Sequence, residues 1–225
     1  MLLKNEDGIL PLRPGARIAV IGDFAKTPRY QGAGSSHIEP TKLECGLDAL
    51  RAEGVNVIGF APGFRRSGGE SRRLREQACK LAESADTVLM WLGLDEGSEA
   101  EGYDRQHMRI AENQIRLLRE VSEANPNIVV ILSCGSPVET DWDKHVKALL
   151  HGYLGGQAGA KAVARLVSGK SCPSGKLAET MPLRLSDTPC FIRYPGAERT
   201  SEYREGIFVG YRYYDTANKA VKYPF

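Results

Sequence analysis

Short, uniformly apolar runs alternate with segments whose apolar residues recur at helical spacing. Arg17-Ile18-Ala19-Val20-Ile21-Gly22 is a buried-type strand closed by glycine. Residues 43–53 follow with Leu43, Leu47 and Leu50 on one helical face, and Gly54 ends that helix. Val55-Asn56-Val57-Ile58 predicts the next strand, and residues 70–85 a helix with Leu74, Ala78 and Leu81 inward. Thr87-Val88-Leu89-Met90-Trp91-Leu92-Gly93 predicts a third strand, and 111–124 a helix with Ile115, Leu118 and Val121 inward, closed by Asn125-Pro126. Ile128-Val129-Val130-Ile131-Leu132 and the shorter Ala148-Leu149-Leu150 are further strands, before a small-residue helix from about Gln157 to Ser168.

These strands do not alternate apolar with polar, so both faces of their sheet must be covered. The expectation is an α/β fold: a three-layer sandwich with a mostly parallel sheet of about five to six strands and helices on both faces. Residues 1–225 read as one domain, with a lead-in segment over 1–16 and a loop-rich part over 170–225. Within the latter, 170–206 is rich in Pro, Gly, Ser and charge and predicts surface loops. Gly206-Ile207-Phe208-Val209-Gly210-Tyr211-Arg212-Tyr213-Tyr214 is aromatic and β-prone and predicts an edge strand, its tyrosines covering a sheet edge.

Composition narrows the function classes. Thirty basic and 28 acidic residues leave a net charge of +2, which gives no footprint for nucleic acid or an anionic membrane. No apolar run approaches the roughly 20 residues that span a bilayer. Met1-Leu2-Leu3-Lys4-Asn5-Glu6-Asp7 carries acidic residues too early for a signal peptide. The five cysteines (45, 79, 134, 172, 190) are scattered, which favours free thiols, a reducing compartment and a cytoplasmic location. Neither they nor the four histidines supply metal-ligand spacing, so no metal and no cofactor is expected.

Ligands of open α/β sheets collect at the carboxyl ends of the strands. Three predicted loops end there: Tyr30-Gln31-Gly32-Ala33-Gly34-Ser35-Ser36-His37, the run from Gly93 to Arg105, and Ser133-Cys134-Gly135-Ser136-Pro137-Val138-Glu139. The second holds five carboxylates between Asp95 and Asp104. A solvated acidic loop is the plain reading. Its glycines and Tyr103 suit a shaped loop at a cleft, and crowded carboxylates raise one another's pKa, as a general acid requires. Glycoside hydrolysis needs two carboxyl groups flanking the scissile bond, and this loop offers one. In the first loop Ser35 and Ser36 suit hydrogen bonds to sugar hydroxyls; a flexible glycine turn is the plain alternative. Gly169-Lys170-Ser171-Cys172-Pro173-Ser174-Gly175-Lys176-Leu177 echoes a P-loop, but it has one residue too many and lacks the hydroxyl that would hold magnesium. Cys134 has no histidine placed to activate it and reads as a core thiol. Trp142 reads as packing, and His107 and His145 as surface or capping residues.

Several of these stretches together resemble glycoside hydrolase family 3 of the β-glucosidase type, specifically its second, α/β-sandwich domain. Residues 2–12, the loop 30–37, Glu99-Ala100-Glu101-Gly102-Tyr103-Asp104-Arg105, Gly135-Ser136-Pro137-Val138-Glu139, Pro173-Ser174-Gly175-Lys176-Leu177 with Pro182, and residues 205–214 follow in that family's order. Ile110-Ala111 stands where related sequences often have a Leu-Pro helix start, and the family would continue beyond Pro224-Phe225 into a glycine–histidine turn. The resemblance implies part of a retaining, exo-acting β-glycosidase, a hydrolase acting on a β-glucoside or oligosaccharide. Its aspartate nucleophile would come from a preceding barrel domain that this chain lacks, so the chain alone would be inactive. Mapped onto this sequence, Glu101 would be the acid/base, with Glu99 the nearest alternative; Ser35, Ser36, His37 and Tyr103 would contact substrate. Without the resemblance, a non-catalytic flavodoxin-like module binding a sugar or phosphate fits the same pattern.

Overall fold

A computed structural model describes residues 1–194, 199, 200 and 202–225. The parts of the predicted 170–206 loop at 195–198 and 201 lie outside the described residues. Among the described residues there are eight strands: β1 (Leu2–Asn5), β2 (Ile18–Ile21), β3 (Val57–Ala61), β4 (Thr87–Gly93), β5 (Ile128–Ser133), β6 (Ala148–His151), β7 (Met181–Pro182) and β8 (Val221–Tyr223). Five α-helices accompany them: α1 (Gly46–Ala52), α2 (Arg72–Glu83), α3 (Glu112–Ala124), α4 (Gly159–Val167) and α5 (Tyr211–Thr216).

The main sheet has the order β1-β6-β5-β4-β2-β3, parallel throughout except for β1. Every residue of β2, β4 and β6 is buried. That is the packing their unbroken apolar runs require, with α1 beside α4 on one face and α2 beside α3 on the other. Numbered from β2, the five parallel strands run in the flavodoxin-like order, and the chain reverses direction across the sheet between β2 and β4.

The helical faces differ in detail from the periodicity. In α2 the buried positions are Arg75, Ala78 and Ala82, while Leu74 and Leu81 are half-buried. The small residues let the helix lie close to the sheet, and Leu81 fills the space where Gly59 has no side chain. Arg75 is buried because Glu120 of α3 accepts from its Nε at 2.9 Å. Leu43 lies before α1 and is exposed. Trp142 is buried, its indole N–H donating to the Glu139 carbonyl at 3.0 Å.

Two predictions at the ends are corrected. Residues 206–214 form no edge strand: Gly210, at φ +57°, opens the short helix α5, and only Tyr214 of its tyrosines is buried. Tyr211 covers no sheet edge and stacks instead on Phe225, with centroids 4.9 Å apart. The edge beside β6 is occupied by β1, from the lead-in segment, pairing Leu2 with Leu150 and Asn5 with Ala148. Farther on, β8 pairs with β7, and Asp143 pins it by accepting from Lys222 Nζ at 2.8 Å and Tyr223 OH at 2.6 Å. Among the described residues no helix is long and apolar enough to cross a membrane.

Candidate active site

The loops after β2 and β4 leave the sheet on either side of the reversal point, where open α/β folds form their crevice. They are stitched together by one isolated parallel bridge, Ala33 to Ala100. Gly34 sits at φ +82°, and a Cβ there would lie 3.3 Å from the Glu101 Cβ, so a side chain would crowd the contact. The Ser35 hydroxyl donates to Glu101 Oε2. Residues 66 positions apart thus meet at one end of the sheet, as the strand order requires.

The acidic loop resolves into distinct jobs. Asp95 Oδ1 accepts from the Ser98 N–H at 2.7 Å and shapes the turn. Glu96 lies 3.9 Å from Arg29 Nε and 3.7 Å from Arg66 Nη1. Glu99 turns inward, its side chain 11% exposed, and accepts from Arg29 Nη1 at 3.3 Å, the Gly135 N–H at 2.8 Å and the Ser136 hydroxyl. Asp104 accepts from the Tyr194 hydroxyl. Glu101 is exposed, and its one hydrogen-bond partner among the described residues is Ser35. Four carboxylates shape or anchor the loop, and Glu101 is left exposed beside Ser35.

Of the other predicted contacts, Ser36 folds back, its hydroxyl 3.4 Å from the Ala33 carbonyl. His37 is exposed, and its backbone N–H closes a turn onto Gly34. Tyr103 is 74% exposed, at the rim of a cleft of about 690 Å³ that Glu99, Arg105, Met108, Phe191 and Tyr194 also line. Arg105 donates to the Ser136 hydroxyl at 2.7 Å, and burial holds its pKa below the usual arginine value.

Residues that the sequence did not single out complete the site. Arg29, its side chain fully buried, donates to the carbonyls of Gln31, Leu94 and Asp95 at 3.0, 3.2 and 3.1 Å besides Glu99. An arginine just before a glycine-rich loop was the one available signal. At the root of the acidic loop, the Gln114 side chain accepts from Gly93 N–H and donates to Gly93 C=O, both at 2.9 Å. Beneath the site, burial raises the Glu179 pKa and the nearby Glu99 charge adds to it, against a 2.8 Å hydrogen bond from Tyr153. Cys134 is fully buried and burial pushes its thiol pKa up, the state of an unreactive core thiol. Lys170, from the P-loop-like stretch, is tied to Glu53 at 3.0 Å. No group of three or more His, Cys, Asp or Glu among the described residues is arranged to hold a metal ion.

Comparison with known proteins places this arrangement. Residues 1–211 match the glycosyl hydrolase family 3 C-terminal domain. The thermostable β-glucosidase B of Acetivibrio thermocellus is 48% identical across all of this chain, which covers 30% of that protein. An exo-α-(1→6)-L-arabinopyranosidase of Bifidobacterium longum is 47% identical, with 31% of its length covered. Among solved structures, the family 3 β-glucosidase of Bifidobacterium adolescentis superposes on the whole chain with TM-score 0.95 and 52% identity, over 33% of its own chain. The β-glucosidase 3B of Thermotoga neapolitana does so with TM-score 0.85 and 27% identity. The chain spans about a third of the length of these relatives. By sequence and by fold it belongs to glycoside hydrolase family 3, and it matches the C-terminal domain of that family's members.

Proposed function

We propose that this chain works as the acid/base-bearing domain of a retaining, exo-acting β-glycosidase, against a barrel domain that carries an aspartate nucleophile. The observation that carries the reading is the division of labour in the acidic loop. Asp95 holds the loop's turn, Asp104 holds Tyr194, and Glu96 and Glu99 lie beside arginines. Glu101 is left exposed with the Ser35 hydroxyl as its partner among the described residues, next to the Ala33–Ala100 bridge that joins the loops flanking the sheet's reversal point. In the first step a protonated Glu101 gives its proton to the glycosidic oxygen while the nucleophile attacks the anomeric carbon and the leaving group departs. In the second, the Glu101 carboxylate takes a proton from the water that attacks the glycosyl-enzyme. Ser35 holds the Glu101 side chain toward the crevice between these steps.

The names of the relatives support a bond geometry rather than a sugar. A β-glucoside and an α-L-arabinopyranoside both present an equatorial glycosidic bond on a pyranose ring. Two proteins so named are almost equally similar to this chain. The preferred sugar therefore belongs to the barrel, and protonation of the leaving group to this domain.

Two assays test this. The 225-residue chain alone turns over no aryl β-glucoside, because a retaining mechanism needs both carboxylates. In the complete enzyme, Glu101→Ala lowers hydrolysis of β-linked disaccharides by roughly 100- to 10,000-fold, and azide restores turnover of an activated aryl glycoside. Azide rescue of Glu99→Ala, with none for Glu101→Ala, would overturn the assignment.

A further inference from the structure

A carboxylate that must deliver a proton to one oxygen needs a fixed place, and the loop bearing Glu101 has no regular secondary structure between Leu94 and Ala111. One side chain makes more hydrogen bonds to it than any other among the described residues. Arg29 enters from the loop after β2, is fully buried, and grips the acidic loop at three points: the Leu94 carbonyl, the Asp95 carbonyl and the Glu99 carboxylate. Its Nε donates to the Gln31 carbonyl, at the start of the segment that carries Ser35. Glu99 passes the grip on, accepting from the Gly135 amide and Ser136 of the loop after β5; Ser136 accepts in turn from Arg105, four residues past Glu101. One guanidinium thus closes a circuit through all three loops at the carboxyl end of the sheet, with Glu101 and Ser35 at its open side.

We infer that Arg29 is a positioning residue for the acid/base step, acting through Glu99 to hold Glu101 at the crevice, and that Glu99 is part of this brace rather than a proton donor. The planar fork is what the role requires. Two of its nitrogens divide the work, Nη1 meeting the Leu94, Asp95 and Glu99 oxygens and Nε the Gln31 carbonyl, whereas an ammonium offers one nitrogen for both loops. The inference rests on the proposed function, since it concerns the placement of the proposed acid.

The consequence is selective. Misplacing the acid slows departure of poor leaving groups, which need protonation, and spares good ones, which do not. A misplacement of about 1 Å costs on the order of 100-fold. In the complete enzyme, Arg29→Met is expected to lower kcat/KM for a phenyl β-glucoside by about 10- to 100-fold and for the 2,4-dinitrophenyl analogue by less than about threefold. Arg29→Lys falls between Arg29→Met and wild type on the phenyl substrate. Glu99→Gln keeps the shape, removes the charge from the brace and shows the same leaving-group pattern. It also serves where Arg29→Met leaves too little folded protein.

Glu101→Ala on the same series is the control for the underlying reading: if its losses do not grow as the leaving group worsens, the acid assignment itself falls. If Glu101→Ala behaves as an acid variant while Arg29→Met and Glu99→Gln lower all substrates by one common factor, the brace is merely structural and the inference is overturned. An independent readout comes from the 225-residue chain, by hydrogen exchange at the Gly135 amide, which donates to Glu99. Arg29→Met should speed that exchange at least about tenfold while the amides of β4 and β5 keep their protection; unchanged exchange at Gly135 overturns the inference as well.

Discussion

Gln114 is where the fold and the acidic loop are joined most directly, and replacing it makes a quantitative test. The pairing of β2 with β4 ends at Ile21 and Met90, so Gly93 has no strand beside it on that flank. The primary amide of Gln114, itself buried, substitutes for one, matching the N–H and the C=O of Gly93 at 2.9 Å each. Gln114→Leu keeps the volume and strands both groups in the interior. An unsatisfied buried polar group costs about 1–3 kcal/mol, so the pair costs about 2–6 kcal/mol. Burying leucine in place of an amide offsets about 1–2 kcal/mol of that. A net loss of about 3 kcal/mol corresponds to a Tm lower by about 6–12 °C for a domain of this size.

Gln114→Glu adds a sign. Ionised, it sets a carboxylate oxygen against the Gly93 carbonyl in a buried place; protonated, it donates as the amide does. Its folded pKa must therefore lie above the unfolded carboxylate value of about 4.3. The stability that protonation restores is present at low pH and is lost as pH rises through the folded pKa. Urea unfolding of wild type, Gln114→Leu and Gln114→Glu at pH 7 and pH 5 reads both effects. If Gln114→Leu stays within about 0.5 kcal/mol of wild type, or Gln114→Glu gains nothing relative to Gln114→Leu on acidification, the amide is not acting as a surrogate strand.

His151 is buried, stacked on Tyr153 with centroids 3.9 Å apart, and burial lowers its pKa from 6.5 to about 4. The unfolded chain takes up the proton that the folded imidazole refuses, so stability is full above pH 6.5 and falls as pH drops toward 4, by about 3 kcal/mol. His151→Gln should shrink the stability difference between pH 7.5 and pH 4.5 by about that amount; parallel pH curves refute it. Native protein should react with a thiol reagent first at exposed Cys172, and Cys134 should react only on unfolding, which peptide mapping of the labelled sites decides. Asp143→Ala strands Lys222 and Tyr223, and hydrogen exchange should show β8 released while β4 and β5 stay protected; unchanged protection at β8 means another contact holds it.

The parallel core was legible because strands buried on both faces leave continuous apolar runs, and β4 and β5 match theirs almost residue for residue. The short elements were not. Leu2-Leu3-Lys4-Asn5 becomes a strand only because β6 offers an open edge, and residues 211–216 form a helix after Gly210 turns the chain at positive φ. Aromatic β-propensity describes a fit to a half-buried pleated surface, and residues 211–216 pair with no strand among the described residues. At the site, the crowding of carboxylates was visible, but their separate tasks were not. Glu99 is occupied by Arg29, 70 positions away, and by Gly135, 36 positions on, and Glu101 stands apart only by comparison with it.

Glu101 is set in place by Ser35, Gly34 and the Ala33–Ala100 bridge, all internal to the chain. A carboxylate oriented by its own chain in this way needs no instruction from a neighbour. On the proposed function, such a domain could be inherited as a cassette and joined to partners that read different sugars while its own loop stays constant. On that same reading, divergence in sugar preference would then accumulate outside this region.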